Sequence, residues 1–155
     1  MSSSATDVWA EIAAGAADES PLWAGALRPD EEREEQPVFS RLSEDRFALA
    51  VETIYEGYLV HYGRPRLFAP ADRDTALLLG DYLYAQGLVH LAATGSVEAV
   101  REMAELISLC AHLRADGGAT DGEAWATAVG RLGEGDGTDP ERVAEAVAAH
   151  RGRVS

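Results

Sequence analysis

"ALLLGDYLYAQGLVHLAA", residues 76–93, is apolar on almost every side of a helix. A helix with that profile belongs at the centre of a bundle, buried on several faces. The expectation is therefore a central helix from about Asp74 to Ala93, with Leu78, Leu79, Leu83 and Leu88 in the core. Gly80 and Gly87 fall on one face of it, and glycine costs roughly 1 kcal/mol inside a helix. Two on one face imply close approach by a neighbouring helix. Asp81 sits inside the same run, so it is expected to be buried and to need a partner or a raised pKa. Two roles stand open for it: a structural bond to an Arg or a Tyr hydroxyl, or a ligand or acid–base contact.

Working outward, the segment before this run also has helical period. Phe47, Val51, Ile54, Tyr58 and His61 recur at three-to-four spacing, with Ser43 as the expected N-cap and Glu52 and Glu56 on the wet side. Gly63 and Pro65 end it. Between the two helices lies "LVHYGRPRLF", residues 59–68, with Arg64 and Arg66 close together in an acidic chain. These arginines read either as an anion contact or as surface charges answering the acidic field.

On the far side, "TGS" turns the chain and Ser96 opens a third helix to about Arg114. Its polar stripe is Glu98, Arg101, Glu102, Glu105, Ser108 and His112. Val97, Val100, Ala104, Ile107 and Cys110 are expected to face inward. "TDGE", residues 120–123, has capping-box spacing ahead of Trp125, Val129 and Leu132. Asp139-Pro140 opens a last helix with Val143, Val147 and His150. Upstream, Asp7 is placed to cap a helix with Val8, Trp9 and Ile12, and Ser20-Pro21 starts another. "RPDEEREEQP", residues 28–37, reads as an exposed linker or mobile arm. No stretch alternates like a strand. The class is all-α, with an N-terminal arm over 1–42, a helical core over 43–116 and short helices over 117–155.

Charge and composition narrow the function. The chain has 155 residues and a net charge of −14, from 27 acidic and 13 basic residues. That sign opposes nucleic acid and anionic lipid as partners. Every basic residue is Arg, as a GC-rich codon usage would give, so no mechanism can use a lysine. The single cysteine, Cys110, excludes a disulfide framework within one chain. Residues 76–93 are interrupted by Asp81, Gln86 and His90, against membrane insertion. The first residues lack a basic n-region and long apolar core, so a cytoplasmic protein is expected.

Few motifs of chemistry are present. There is no glycine-rich dinucleotide fingerprint, no Walker A loop and no HExxH. "EGDGTD", residues 134–139, lacks the sixth-position glycine of a calcium loop. His61, His90, His112 and His150 fall on separate expected helices, so no metal set is apparent. The tyrosines Tyr55, Tyr58, Tyr62, Tyr82 and Tyr84 line a pocket or, as commonly, fill a core with their polar tips outward. No cofactor is implied.

The order of residues in "ETIYEGYLVHYGRPRLFAPADRDTALLLGDYLYAQGLVHLA", residues 52–92, resembles the middle of a trans-isoprenyl (polyprenyl) diphosphate synthase. Leu59, Val60 and His61 match the end of that family's first conserved helix. Gly63, Arg64 and Pro65 match its Gly-x-Pro, and Gly80, Asp81 and Leu83 match its Gly-Asp-x-Leu signature. The likeness extends over about residues 45–114. It implies a helical bundle like a shortened isoprenoid-synthase fold. The departures imply more. Only Tyr62 stands between His61 and Gly63, where the family carries its magnesium-binding aspartates and paired arginines. Ala111 and His112 stand near the family's Gly-Glu-x-x-Gln. No second aspartate-rich motif follows, and the family's diphosphate-binding lysines are absent.

The resemblance therefore implies a non-catalytic chain rather than an enzyme. One expected role is a helical interaction protein that pairs with itself or with a full-length prenyl synthase subunit, as an accessory or regulatory partner. The alternative is a binder of a small apolar or isoprenoid ligand. In either, the candidate ligand or anion contacts are Arg64, Arg66, Asp81, Tyr58 and Tyr82.

Overall fold

Helices account for nearly all regular structure. The computed structural model describes residues 4–117, 121–133 and 139–154, with side chains from Val8 on. It contains α1 (Ser4–Glu19), α2 (Pro21–Ala26), α3 (Ala48–Tyr62), α4 (Arg73–Ala93), α5 (Val97–Ala115), α6 (Asp121–Gly130) and α7 (Pro140–Val154), with three short 3₁₀ turns between α2 and α3. Among the described residues there is no strand, only an isolated bridge between Leu27 and Phe68. The all-α expectation holds.

Local chemistry sets most helix ends. Ser20 Oγ accepts from the Leu22 N–H with Pro21 at the first helical position. Asp72 caps α4 through the Thr75 N–H, and Ser96 caps α5 through the Ala99 N–H. Asp139 Oδ1 accepts from the Glu141 N–H at the start of α7. Gly63 ends α3, its N–H bonded to the Leu59 carbonyl. Ser43 does not cap α3. The 3₁₀ turn Asp45–Phe47 intervenes, and the Ser43 hydroxyl donates to the Ser40 carbonyl instead. Asp7 lies inside α1, which begins at Ser4. The capping-box Thr120 and most of "EGDGTD" lie outside the described residues.

The centre of the bundle is α3, not α4. Every residue from Ala50 to Val60 is buried. One side packs Val51, Ile54, Tyr55 and Tyr58 against Met103, Leu106, Trp125 and Val147 of α5, α6 and α7. A second cluster gathers Trp9 and Ile12 of α1 with Leu67, Phe68, and Leu79 and Leu83 of α4. On α4, Leu79 and Leu83 are core residues and Leu88 is half-buried, but Leu77 and Leu78 are each 56% exposed and Val89 is 58% exposed. The expected all-round burial of α4 is thus corrected: only one side has a partner. That side is set by its glycines. A Cβ on Gly80 would overlap the His61 ring, and one on Gly87 would overlap Ile54. Both glycines let α3 approach, as their shared face implied.

On α5 the buried face is Ala99, Met103, Leu106 and Cys110. Of the expected inward stripe, Cys110 is buried and Val100 and Ile107 pack half-buried against the core, while Val97 and Ala104 face solvent. Residues 28–37 are largely exposed, as expected of a linker, and are bonded back to the bundle. Arg28 N–H bonds the Leu67 carbonyl, Glu34 N–H bonds the Arg66 carbonyl, and Glu34 pairs with Arg153 of α7.

Candidate functional site

Polar chemistry is concentrated at two buried centres, both served by α3. The first forms because Glu52 and Glu56 lie four residues apart and so share a helix face. That face is not wet. Glu52 is 2% exposed and Glu56 and Arg66 are fully buried. Arg66 Nη1 donates to Glu52 Oε1 at 2.6 Å, and Nε donates to Glu56 Oε1 at 3.0 Å. Its remaining donors reach the Gln36 and Glu52 carbonyls. Glu56 Oε2 accepts the backbone N–H groups of Arg66 and Leu67. Trp9 and Tyr55 flank the guanidinium, with ring centroids 4.7 and 5.1 Å from Cζ. Burial works against the guanidinium's charge, but the two glutamates outweigh it and raise the Arg66 pKa. Arg66 therefore pins the α3–α4 connection to α3, and neither reading of it as a free anion contact or a surface charge survives.

The second centre lies where α3, α5, α6 and α7 meet. Asp121, at the start of α6, is 1% exposed. It accepts from the Tyr58 hydroxyl, from Arg114 Nε at 2.7 Å, and pairs with His150 Nε2 at 3.2 Å. His150 Nδ1 is 2.7 Å from the Tyr55 hydroxyl, and Arg114 Nη2 donates to the Tyr58 oxygen at 2.7 Å. Burial alone would raise the Asp121 carboxyl. Hydrogen bonds from His150 and Tyr58, with the Arg114 charge, outweigh it and hold the pKa down at about 2. Burial, then the bond to Asp121, pushes the Tyr58 hydroxyl up. Burial also pushes the Cys110 thiol up to about 12, which leaves it a core group with little thiolate.

A cavity of about 250 Å³ opens beside this centre. Arg114, Asp121, Glu123, His150 and Arg151 line it, with Gly122, Val147 and Val154.

The five residues expected to contact a ligand do not converge. Tyr58 belongs to the second centre and Arg66 to the first. Arg64 is exposed, and its backbone N–H and carbonyl both bond Arg153. Tyr82 donates to the Gly15 carbonyl at 3.2 Å and packs against Trp23. Asp81 corrects the expectation of burial: its side chain is 67% exposed, with His61 Nε2 at 3.3 Å. The four histidines do lie on four helices. Among the described residues no group of three or more His, Cys, Asp or Glu is placed to hold a metal. Sequence reasoning missed Asp121, Arg114 and the role of His150. The available signal was Tyr55 and Tyr58, three apart on a face that needs hydroxyl partners.

A different kind of site lies on the outside of α4. Leu77, Leu78 and Val89 stand out of the surface with Ala85 and Ala92 between and beyond them. From Thr75 to Ala93 the only Asp, Glu or Arg is Asp81.

The fold and these surfaces define a class: an all-α bundle with two buried polar centres, one of them beside a cavity, and an apolar helix face left exposed among the described residues. No model of a known protein family, no curated protein and no solved structure matches the chain. No described helix is long and apolar enough to cross a membrane.

Proposed function

We propose that this chain is a non-catalytic helical interaction protein whose contact surface is the outer face of α4. The observation that carries the reading is the exposure of Leu77, Leu78 and Val89 on one helix of a strongly acidic protein. Contiguous apolar surface of this kind commonly marks a protein contact. The two buried centres support the non-catalytic part, because their donors and acceptors are largely spent on one another.

The order of residues 52–92 supports a more specific role, as a cytoplasmic accessory subunit beside a polyprenyl diphosphate synthase. Two of the resembling fragments meet in space: the His61 ring lies against Gly80, with Asp81 beside it. Two measurements test the role. With magnesium, isopentenyl diphosphate and an allylic diphosphate, the purified chain gives no elongated product. Sedimentation with a purified full-length synthase gives a complex that Leu78→Glu abolishes. Turnover that survives repurification, or a complex indifferent to Leu78→Glu, would each refute it.

The cavity beside Asp121 favours a second reading, a binder of a small apolar or isoprenoid ligand. A series of short isoprenoid alcohols then raises Tm with concentration. Val147→Trp, which fills the cavity, removes the effect, and an unchanged response in that variant sinks the reading.

A further inference from the structure

A groove of about 350 Å³ runs between α5 and α6 and shares no residue with the α4 face. Glu102, Glu105, Leu106 and Leu109 recur at three-to-four spacing on α5 and border it. Its apolar part is Leu106 and Leu109 with Ala124 and Ala128 of α6. Leu106 belongs to the core, whereas Leu109 is 45% exposed, so the apolar part reaches the surface. Carboxylates stand on both helices beside it: Glu102 and Glu105 on α5, and Glu123 on α6. Arg131 is the one cation lining the groove, and Glu102 takes it at 2.8 Å. Glu105 is exposed and has no ion pair or hydrogen bond among the described residues. Glu123 meets Arg151 at 3.5 Å, with both side chains more than half exposed. A pair of that kind contributes little, so little is lost when another cation replaces Arg151.

Independently of the α4 face, we infer that this groove receives a basic amphipathic helix of another protein. An apolar side chain of that helix lies on Leu106 and Leu109, and Arg or Lys residues on either flank meet Glu105 and Glu123. The chemistry follows from the walls. An apolar strip with carboxylates on both sides is complementary to an apolar stripe with cations on both sides. The shape follows from the two bordering helices. At 1.5 Å per residue, Glu102 to Leu109 spans about 10 Å. That is two turns, enough for two anchors three or four residues apart, the usual reading of a helix in a groove. The net charge of −14 draws a basic partner from a distance and repels a second copy of this chain. The α4 face suits such a helix less, because Asp81 is the only carboxylate between Thr75 and Ala93.

Fluorescence anisotropy of the full chain with a labelled synthetic peptide tests the groove. The peptide has about 15 residues, enough to form a helix, with leucines at three-to-four spacing and arginines on both flanks. At about 0.15 M salt, saturable binding is expected. Leu109→Ser and Glu105→Arg each weaken it by about tenfold. Both residues are exposed, so their circular-dichroism melts stay unchanged. Asp18→Arg makes the same charge change on α1, where Asp18 is exposed, and weakens binding by less than about threefold. Leu78→Glu on α4 leaves binding as it was. A peptide with serines for its leucines loses about tenfold in affinity. The absence of saturable binding overturns the inference. An equal loss with Asp18→Arg, or binding indifferent to Leu109→Ser, also overturns it, since either means attraction by charge alone. A loss with Leu78→Glu would seat the peptide on α4 and overturns it too.

Discussion

Helices α3 and α4 lie side by side and invert what their compositions suggest. α3 carries two glutamates and three tyrosines over its length, yet Ala50 to Val60 are all buried. α4 carries one charged residue between Thr75 and Ala93, yet it leaves a row of leucine, alanine and valine in solvent. Glu52, Tyr55, Glu56 and Tyr58 reach the interior because each finds a partner supplied from elsewhere in the chain. Apolar residues remain on the outside of α4 because, among the described residues, no other helix covers that side. Burial here follows where partners exist, and composition alone does not report that.

The largest expected effect tests the polar half of the contrast. Arg66→Met removes the guanidinium and strands two carboxylates in the core. Breaking a buried pair by removing one partner costs about 3–5 kcal/mol. Urea denaturation reads the loss, and a change below about 1 kcal/mol would mean that Glu52 and Glu56 reach water. Next comes the inner side of α4. Leu83 is 1% exposed, so Leu83→Ala should cost about 2–5 kcal/mol. A near-neutral result would detach α4 from the core.

Acid titration sharpens the second centre. The folded Asp121 carboxyl, at about 2, lies below its ordinary value of 3.8. A depressed folded pKa contributes stability that is present above the ordinary value and is lost as pH falls through the folded one. The contribution is on the order of 2 kcal/mol, fading between about pH 5 and pH 1. Thermal melts across that range should show it in the wild type, and Asp121→Asn should flatten that limb. An unaltered acid limb in the variant would assign the loss to other carboxylates. The smallest effect belongs to the outer face. Leu78→Ala on the isolated monomer should change stability by less than about 0.5 kcal/mol, in direct contrast with Leu83→Ala. A loss of core size there would place Leu78 inside and remove the exposed stripe.

Much of the fold was legible from local signals. Pro21 after Ser20, Ser96, Gly63, and Asp139 before Pro140 set helix ends through bonds a few residues long. Gly80 and Gly87 announced the close contact with α3 because missing side chains have a geometric meaning. The candidate site was far less legible. Glu52 and Glu56 were placed on the wet side because their partner, Arg66, enters only when the chain turns back after α3. Tyr58 meets Arg114 and Asp121 across 56 and 63 residues, and His150 meets Asp121 and Tyr55 across 29 and 95. No periodicity encodes such meetings. Asp81 failed for a related reason: an apolar helix was taken to have neighbours all round, and among the described residues its outer side is exposed.

The binding of Arg66 also restricts how this sequence can drift. Its side chain makes four hydrogen bonds in different directions, two to carboxylates and two to carbonyls. Lysine has three donors on one atom and cannot span that fork. Replacing Glu52 leaves Nη1 without its carboxylate acceptor, replacing Glu56 leaves Nε and two backbone N–H groups without theirs, and replacing the arginine leaves the glutamates facing each other. Each single step from this triad leads downhill in stability, so the three positions can change only together. Their joint retention or joint loss, never a partial set, is what descendants of this chain should carry.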